Sequence, residues 1–169
     1  NLRIKYKGKV LGNLIYTEHS EVIYSLLKYF LEKAGDSRST SSFKNWFPKP
    51  ISWENVKTLS KNSIISFQSH SLTHTAVSSL NEDEIEKEMI KSKDIIYQYT
   101  GRKIHSFCYP YGGKKSIGDL APKIAGKYFE SATTLIKGRL NKSNPFYLPR
   151  IDLYENDNGE VARLKTLLG

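Results

Sequence analysis

An α/β fold built on parallel strands is what this sequence predicts, and three observations carry the prediction. Short apolar runs alternate with longer segments whose apolar residues recur at helical spacing. Their order reads strand, helix, helix, strand, helix, strand, helix, strand, strand, helix. The 169 residues are enough for one domain, 1–169, with a core of its own. Finally, the residues able to do chemistry fall just after strand candidates, and in parallel sheets chemistry collects at the carboxyl ends of strands.

The elements follow in order. Leu2 to Tyr6 alternates as a short strand does, with Lys7-Gly8-Lys9 as a turn. Val10 to Thr17 reads as a second strand ending in Glu18-His19-Ser20. Ser20 is placed to cap a helix whose apolar face is Val22, Ile23, Leu26, Leu27, Phe30 and Leu31, stopped by Gly35. Asp36 to Pro50 is polar and reads as a loop carrying Trp46 and Phe47. Ser52 starts another helix, with Trp53, Val56 and Leu59 on one face. Ser63 to Phe67 reads as a short buried strand leading into His70. Asn81 to Tyr99 is the clearest helix. Asn81 is its N-cap, Glu84 stands three residues on, Ile85, Met89 and Ile95/Ile96 make the stripe, and Gly101 ends it. Ile104 to Tyr109 is strand-like and runs into Pro110-Tyr111-Gly112-Gly113. Ile117 to Lys127 reads as helix, Phe129 to Leu135 and Tyr147 to Leu153 as strands, and Glu160 to Leu168 as a final helix.

Composition narrows the function classes. Hydrophobic residues make up 38% and aromatics 12%, the balance of a globular domain, and no apolar run is long enough to cross a membrane. The chain starts at Asn1 and shows no signal peptide, so its address is not read from its start. A single cysteine, Cys108, excludes an internal disulfide framework and a cysteine-based zinc site. The net charge of +9 suits either an anionic partner or a solvated lysine-rich surface. The lysines are scattered and no basic run interleaves with aromatics, so no nucleic-acid partner is expected.

The segment Ser69-His70-Ser71-Leu72-Thr73-His74 carries the strongest chemical signal. Two imidazoles four residues apart can reach one divalent metal, and a bound metal activates water or polarises a carbonyl. Alone, the H-x-x-x-H spacing is weak, and in a surface helix it is more often a chance pair than a ligand pair. His105 precedes a strand candidate, where a histidine is more often structural, and Cys108 reads as a small buried strand residue.

Taken together, Trp53-Glu54-Asn55-Val56, Ser69 to His74, the acidic helix Glu82 to Lys93 and Phe107-Cys108-Tyr109-Pro110-Tyr111-Gly112 resemble the polysaccharide deacetylase family, also known as the NodB-homology domain or carbohydrate esterase family 4. Leu148-Pro149-Arg150-Ile151-Asp152 adds weaker support. The resemblance implies a distorted, incomplete (β/α) barrel. It implies metal-dependent removal of N-acetyl groups from a glycan containing N-acetylhexosamine, in the cell envelope or outside the cell. His70 and His74 match the family's metal-binding histidines, and zinc is the metal that suits imidazole ligands best. Tyr111 matches the position whose backbone N–H helps hold the oxyanion. Arg150 resembles the arginine that pairs with the base carboxylate; an ordinary ion pair is the other reading.

The departures are as informative. The family carries T-F-D-D-G after its first strand, where one aspartate is the general base and the next a metal ligand. Here the equivalent place holds Tyr16-Thr17-Glu18-His19-Ser20, which puts Glu18 at the base and His19 at the third ligand. Either a three-histidine site replaces the usual one, or the residues carrying the motif are absent from this chain, or the site has degenerated and the domain only binds glycan or serves as a scaffold. The stretch after Gly35 lacks the apolar strand the family has there, and no histidine lies beyond His105 to act as general acid.

Overall fold

Among the described residues, four parallel segments lie side by side. The structure, a computed structural model, describes residues 5–6, 9–10, 25, 29, 50–138, 140, 144–151, 153 and 157–168. Within these, β1 (Lys5–Tyr6) and β2 (Lys9–Val10) form an antiparallel pair, Lys5 opposite Val10 and Tyr6 opposite Lys9. Lys9, expected in the turn, is already paired as strand. Ser25 and Tyr29 are helical, inside the helix expected after Ser20. β3 (Ser106–Cys108) and β4 (Ser131–Thr133) pair in parallel with Phe107 opposite Ala132. A parallel bridge from Ser69 to Phe107 adds a segment on one side, and one from Thr133 to Leu148 adds another on the far side.

Three of the described helices share a core with this sheet. α1 (Trp53–Leu59) starts where Ser52 accepts a hydrogen bond from the Asn55 N–H at 3.2 Å. Of its expected face only Val56 is buried; Trp53 instead stacks on Tyr99, ring centroids 4.3 Å apart. A short 3₁₀ turn, Val77–Ser79, leads into α2 (Glu82–Thr100). α2 has the full capping box: the Glu84 N–H donates to Asn81 Oδ1 at 3.0 Å and the Asn81 N–H to Glu84 Oε2 at 2.9 Å. It ends at Gly101, which takes a left-handed φ of 64°. Asn81→Ala removes the side-chain half of this box, the acceptor for the Glu84 N–H, and is expected to cost about 1 kcal/mol, read as a lowered urea midpoint with unchanged slope.

α3 (Lys114–Ile117), α4 (Ala121–Tyr128) and α5 (Gly159–Leu168) complete the described helices. The single helix expected over Ile117 to Lys127 is thus two. Gly118 breaks it at φ 66°, and Pro122 sits in the first turn of α4, where its missing N–H costs nothing. The buried strand expected at Ser63 to Phe67 is not a strand. Asn62 Oδ1 accepts from the Ile64 N–H at 2.9 Å and bends the chain, leaving Ile64 89% exposed. Pairing begins only at Ser69 because the Gln68 side-chain oxygen takes the N–H groups of His105 and Ser106, both at 3.0 Å, in place of a backbone partner.

The core lies between sheet and helices: Val77, Ile85, Met89, Ile104, Phe107, Tyr109, Ile117, Ala121, Ile124, Ala125, Phe129 and Ala132. Ile85, Met89 and Ile96 supply the α2 stripe. Two polar residues share the buried side of that helix, Glu88 and Ser92. Among the described residues no helix is long and apolar enough to cross a membrane.

Candidate active site

The carboxyl ends of the parallel segments open onto one edge, and there the structure brings His70, His74, Tyr111 and Arg150 into one neighbourhood. Glu18, His19 and Asp152 lie outside the described residues.

His70 follows Ser69, the residue that bridges to β3. Its Nδ1 is 2.8 Å from the Cys108 carbonyl oxygen. A carbonyl only accepts, so Nδ1 carries the proton and the neutral ring keeps its lone pair on Nε2. The chain then turns back through Ser71 at φ 66°, and Ser71 Oγ accepts from the His74 N–H at 2.9 Å. His74 has φ 60°, so the two histidines meet through a strained turn and not along a helix. Their rings stand edge to face with centroids 4.9 Å apart, and the His74 ring stands in the same way against Tyr111, also at 4.9 Å.

Tyr111 has φ 60° and Gly112 φ 56°. Ser71, His74 and Tyr111 are the three non-glycine residues with left-handed backbone among the described residues, and all lie here. Gly112 is pressed against the end of β4: the Leu135 N–H donates to its carbonyl at 2.8 Å, and a Cβ on Gly112 would come 2.5 Å from that nitrogen. Tyr109 anchors the same turn from the core, its hydroxyl donating to the Phe146 carbonyl at 3.0 Å. Burial pushes that phenol far above its ordinary pKa, so it stays a donor at any physiological pH.

Arg150 is exposed, and its Nε donates to the Thr134 carbonyl at 3.0 Å. Among the described residues no carboxylate forms an ion pair with it. The two imidazoles titrate in opposite directions. A hydrogen bond with the Cys108 side chain raises the His70 pKa above its ordinary value, against burial and the charge of Arg150. Partial burial, then the neighbouring His70, lower that of His74. Burial pushes the Cys108 thiol up, but hydrogen bonds with His70 and Thr133 outweigh it and leave its pKa below the ordinary thiol value. Cys108, expected as a small buried strand residue, lies in β3 but is only half-buried. His105 stands at the other end of β3, its Nδ1 2.8 Å from Glu130, which also binds Lys103 at 3.1 Å. It belongs to a surface ion-pair cluster away from the two paired histidines.

Two residues that the motif reading passes over hold the turn. Glu88 Oε2 accepts from the N–H groups of Leu72 and Thr73, both at 2.9 Å, and Oε1 accepts from the Thr73 hydroxyl at 3.0 Å. Ser92 Oγ lies 2.5 Å from Ser69 Oγ. The signal for them was in the sequence: polar residues four apart on the apolar stripe of a helix, between Ile85, Met89 and Ile96.

His70 and His74 suit two positions of a metal site: each ring has a nitrogen available as a ligand, and the Cys108 carbonyl sets the His70 tautomer. Among the described residues, no third His, Cys, Asp or Glu joins them in a group able to hold a metal ion.

Comparison with known proteins agrees with this architecture. The family model described as polysaccharide deacetylase matches residues 17–127. The fold is similar to that of a polysaccharide deacetylase from Bacillus cereus, with TM-score 0.61 and 22% identity over 68% of this chain and 36% of that one. It is also similar to a Streptococcus pyogenes deacetylase solved in complex with acetate, with TM-score 0.63 and 20% identity over 80% of this chain and 54% of that one. The chain thus spans between a third and somewhat over half of the length of these proteins. No curated protein matches the sequence. Since the family model takes in well over half of the chain, including both the histidine turn and the Tyr-Pro-Tyr-Gly turn, the chain belongs to the polysaccharide deacetylase family.

Proposed function

We propose that this chain is a metal-dependent hydrolase that removes N-acetyl groups from a glycan containing N-acetylhexosamine, at the cell envelope or outside the cell. Its parallel segments belong to a distorted (β/α) barrel. One observation carries the reading: His70 and His74 meet ring to ring beside the strained Tyr111 turn, at the carboxyl edge of the sheet.

In this reading His70 and His74 hold the metal, His19 is the third ligand, and zinc is the ion best suited to imidazoles. A metal held there would supply polarisation of the acetamide carbonyl and a lowered pKa for water. Glu18 takes the proton of the attacking water. Tyr111 turns its backbone N–H toward the developing oxyanion, and its left-handed φ sets that direction before substrate arrives. Arg150, whose Nε donates to the Thr134 carbonyl, matches the arginine that the family pairs with its base carboxylate.

A second reading is a domain that binds glycan without turnover. It rests on Glu18-His19 standing where the family carries two aspartates. An assay of acetate release from N-acetylglucosamine oligomers separates the two. The first reading predicts release that stops with a chelator and returns with added zinc. Oligomer binding with no release under any metal supports the second, and release insensitive to chelator overturns metal dependence.

A further inference from the structure

We infer that Glu88 is the positioning residue of the histidine turn, and that α2 grips this turn at two points that bracket His70. Glu88 is 8% exposed, and a buried carboxylate is costly unless its lone pairs are filled. Among the described residues no ion pair neutralises it. What compensates it is the turn: the Leu72 and Thr73 N–H groups on one oxygen and the Thr73 hydroxyl on the other. Two successive backbone donors converge on one oxygen only if the chain curls around it, and it does so between Ser71 and His74, the two residues with left-handed backbone. Such a conformation costs about 1–3 kcal/mol per residue and persists only where its surroundings hold it. Glu88 supplies that hold from inside the fold.

One turn along α2, Ser92 fixes the other side. Its Oγ donates to the Met89 carbonyl at 3.0 Å and lies 2.5 Å from Ser69 Oγ, so the residue before His70 is tied to the same helix. His70 thus leaves one tethered residue and His74 follows another. A rigid helix that starts with its own capping box transmits its position to both imidazoles. Charge-assisted bonds from a carboxylate to backbone N–H are the stronger kind, which suits Glu88 to the tighter part of the turn.

The positioning claim is tested first on the metal-free chain. In Glu88→Ala, the Leu72 and Thr73 amides should lose hydrogen-exchange protection and the NMR contacts between the His74 and Tyr111 rings should vanish. Amides of Phe107 and Ala132 should remain protected. Glu88→Gln, whose amide oxygen still accepts, should restore most of the ring contact. If the His74–Tyr111 contact and the turn amides persist in Glu88→Ala, the inference is overturned. If the core amides also lose protection in both variants, Glu88 serves the fold generally and the inference is likewise overturned. Zinc titration of the same proteins adds a second arm that rests on the proposed function. Zinc affinity should fall ~10–100-fold in Glu88→Ala and recover in Glu88→Gln, the range typical of groups that orient ligands. An original chain that takes up no zinc overturns the proposed function, while the ring contacts still decide the role of Glu88.

Discussion

His70→Ala and His74→Ala are each expected to abolish retention of metal and to reduce acetate release to background, while the chain stays folded. Both side chains are exposed at the edge of the sheet and neither belongs to the core, so truncation leaves no cavity. What each removes is one imidazole of a facing pair. The measurement is metal content of the purified variants beside their circular dichroism; unchanged content in either variant sinks the assignment. The unaltered pair also has a definite pH dependence. Metal needs both rings unprotonated. Partial burial lowers the His74 pKa from its ordinary value and the Cys108 side chain raises that of His70, so as pH falls His70 takes up a proton before His74. Affinity should therefore fall as pH drops from 8. The slope is about tenfold per pH unit where only His70 competes with metal, and about a hundredfold per unit once His74 is protonated too. A flat profile between pH 6 and 8 would contradict the pairing of these two rings as ligands.

Gly112→Ala is expected to cost about 2–4 kcal/mol and to take most of the turnover with it. At φ 56° an alanine is strained whatever space it has, and here it has none: its Cβ would meet the Leu135 backbone nitrogen at 2.5 Å and the Leu135 side chain at 2.9 Å. Relief requires the turn to lift away from β4, which breaks the hydrogen bond from the Leu135 N–H to the Gly112 carbonyl. The neighbour that moves with it is Tyr111, whose ring packs on His74. Gly101→Ala is the matched control, since Gly101 has a similar φ of 64° but open space around it and sits at the far end of α2. Its cost should be the backbone strain alone, with kcat retained. Urea denaturation and kcat measured on both variants make the comparison. Equal losses of turnover in the two would show that backbone strain, and not the position of the Tyr111 turn, sets the effect.

Much of the site could be read along the chain because its signals are local. The histidine pair, the Tyr-Pro-Tyr-Gly turn and the Asn81/Glu84 box each lie within a few residues, and each is a geometric unit that short-range chemistry closes. Pro122 and Gly118 were equally local, and weighing Pro122 against the interior of an Ile117–Lys127 helix would have split that helix. Ser63 to Phe67 failed for a different reason. Its apolar pattern suits a strand, but the Asn62 side chain captures the Ile64 N–H, and Gln68 then substitutes for the backbone at His105 and Ser106. Side chains competing with the ladder leave no periodic trace.

By itself, then, the sequence determined the alternation of elements, the family and the identity of the paired histidines, because hydrophobic period, caps and short motifs are all written within one stretch of chain. Only the tertiary structure decided how those histidines meet. The pair comes together through left-handed backbone at Ser71 and His74. That conformation is unfavourable in isolation, and a carboxylate and a hydroxyl hold it from α2, fifteen or more residues away along the chain. A buried polar residue on an apolar stripe is only an oddity until the fold shows which backbone donors it is there to satisfy.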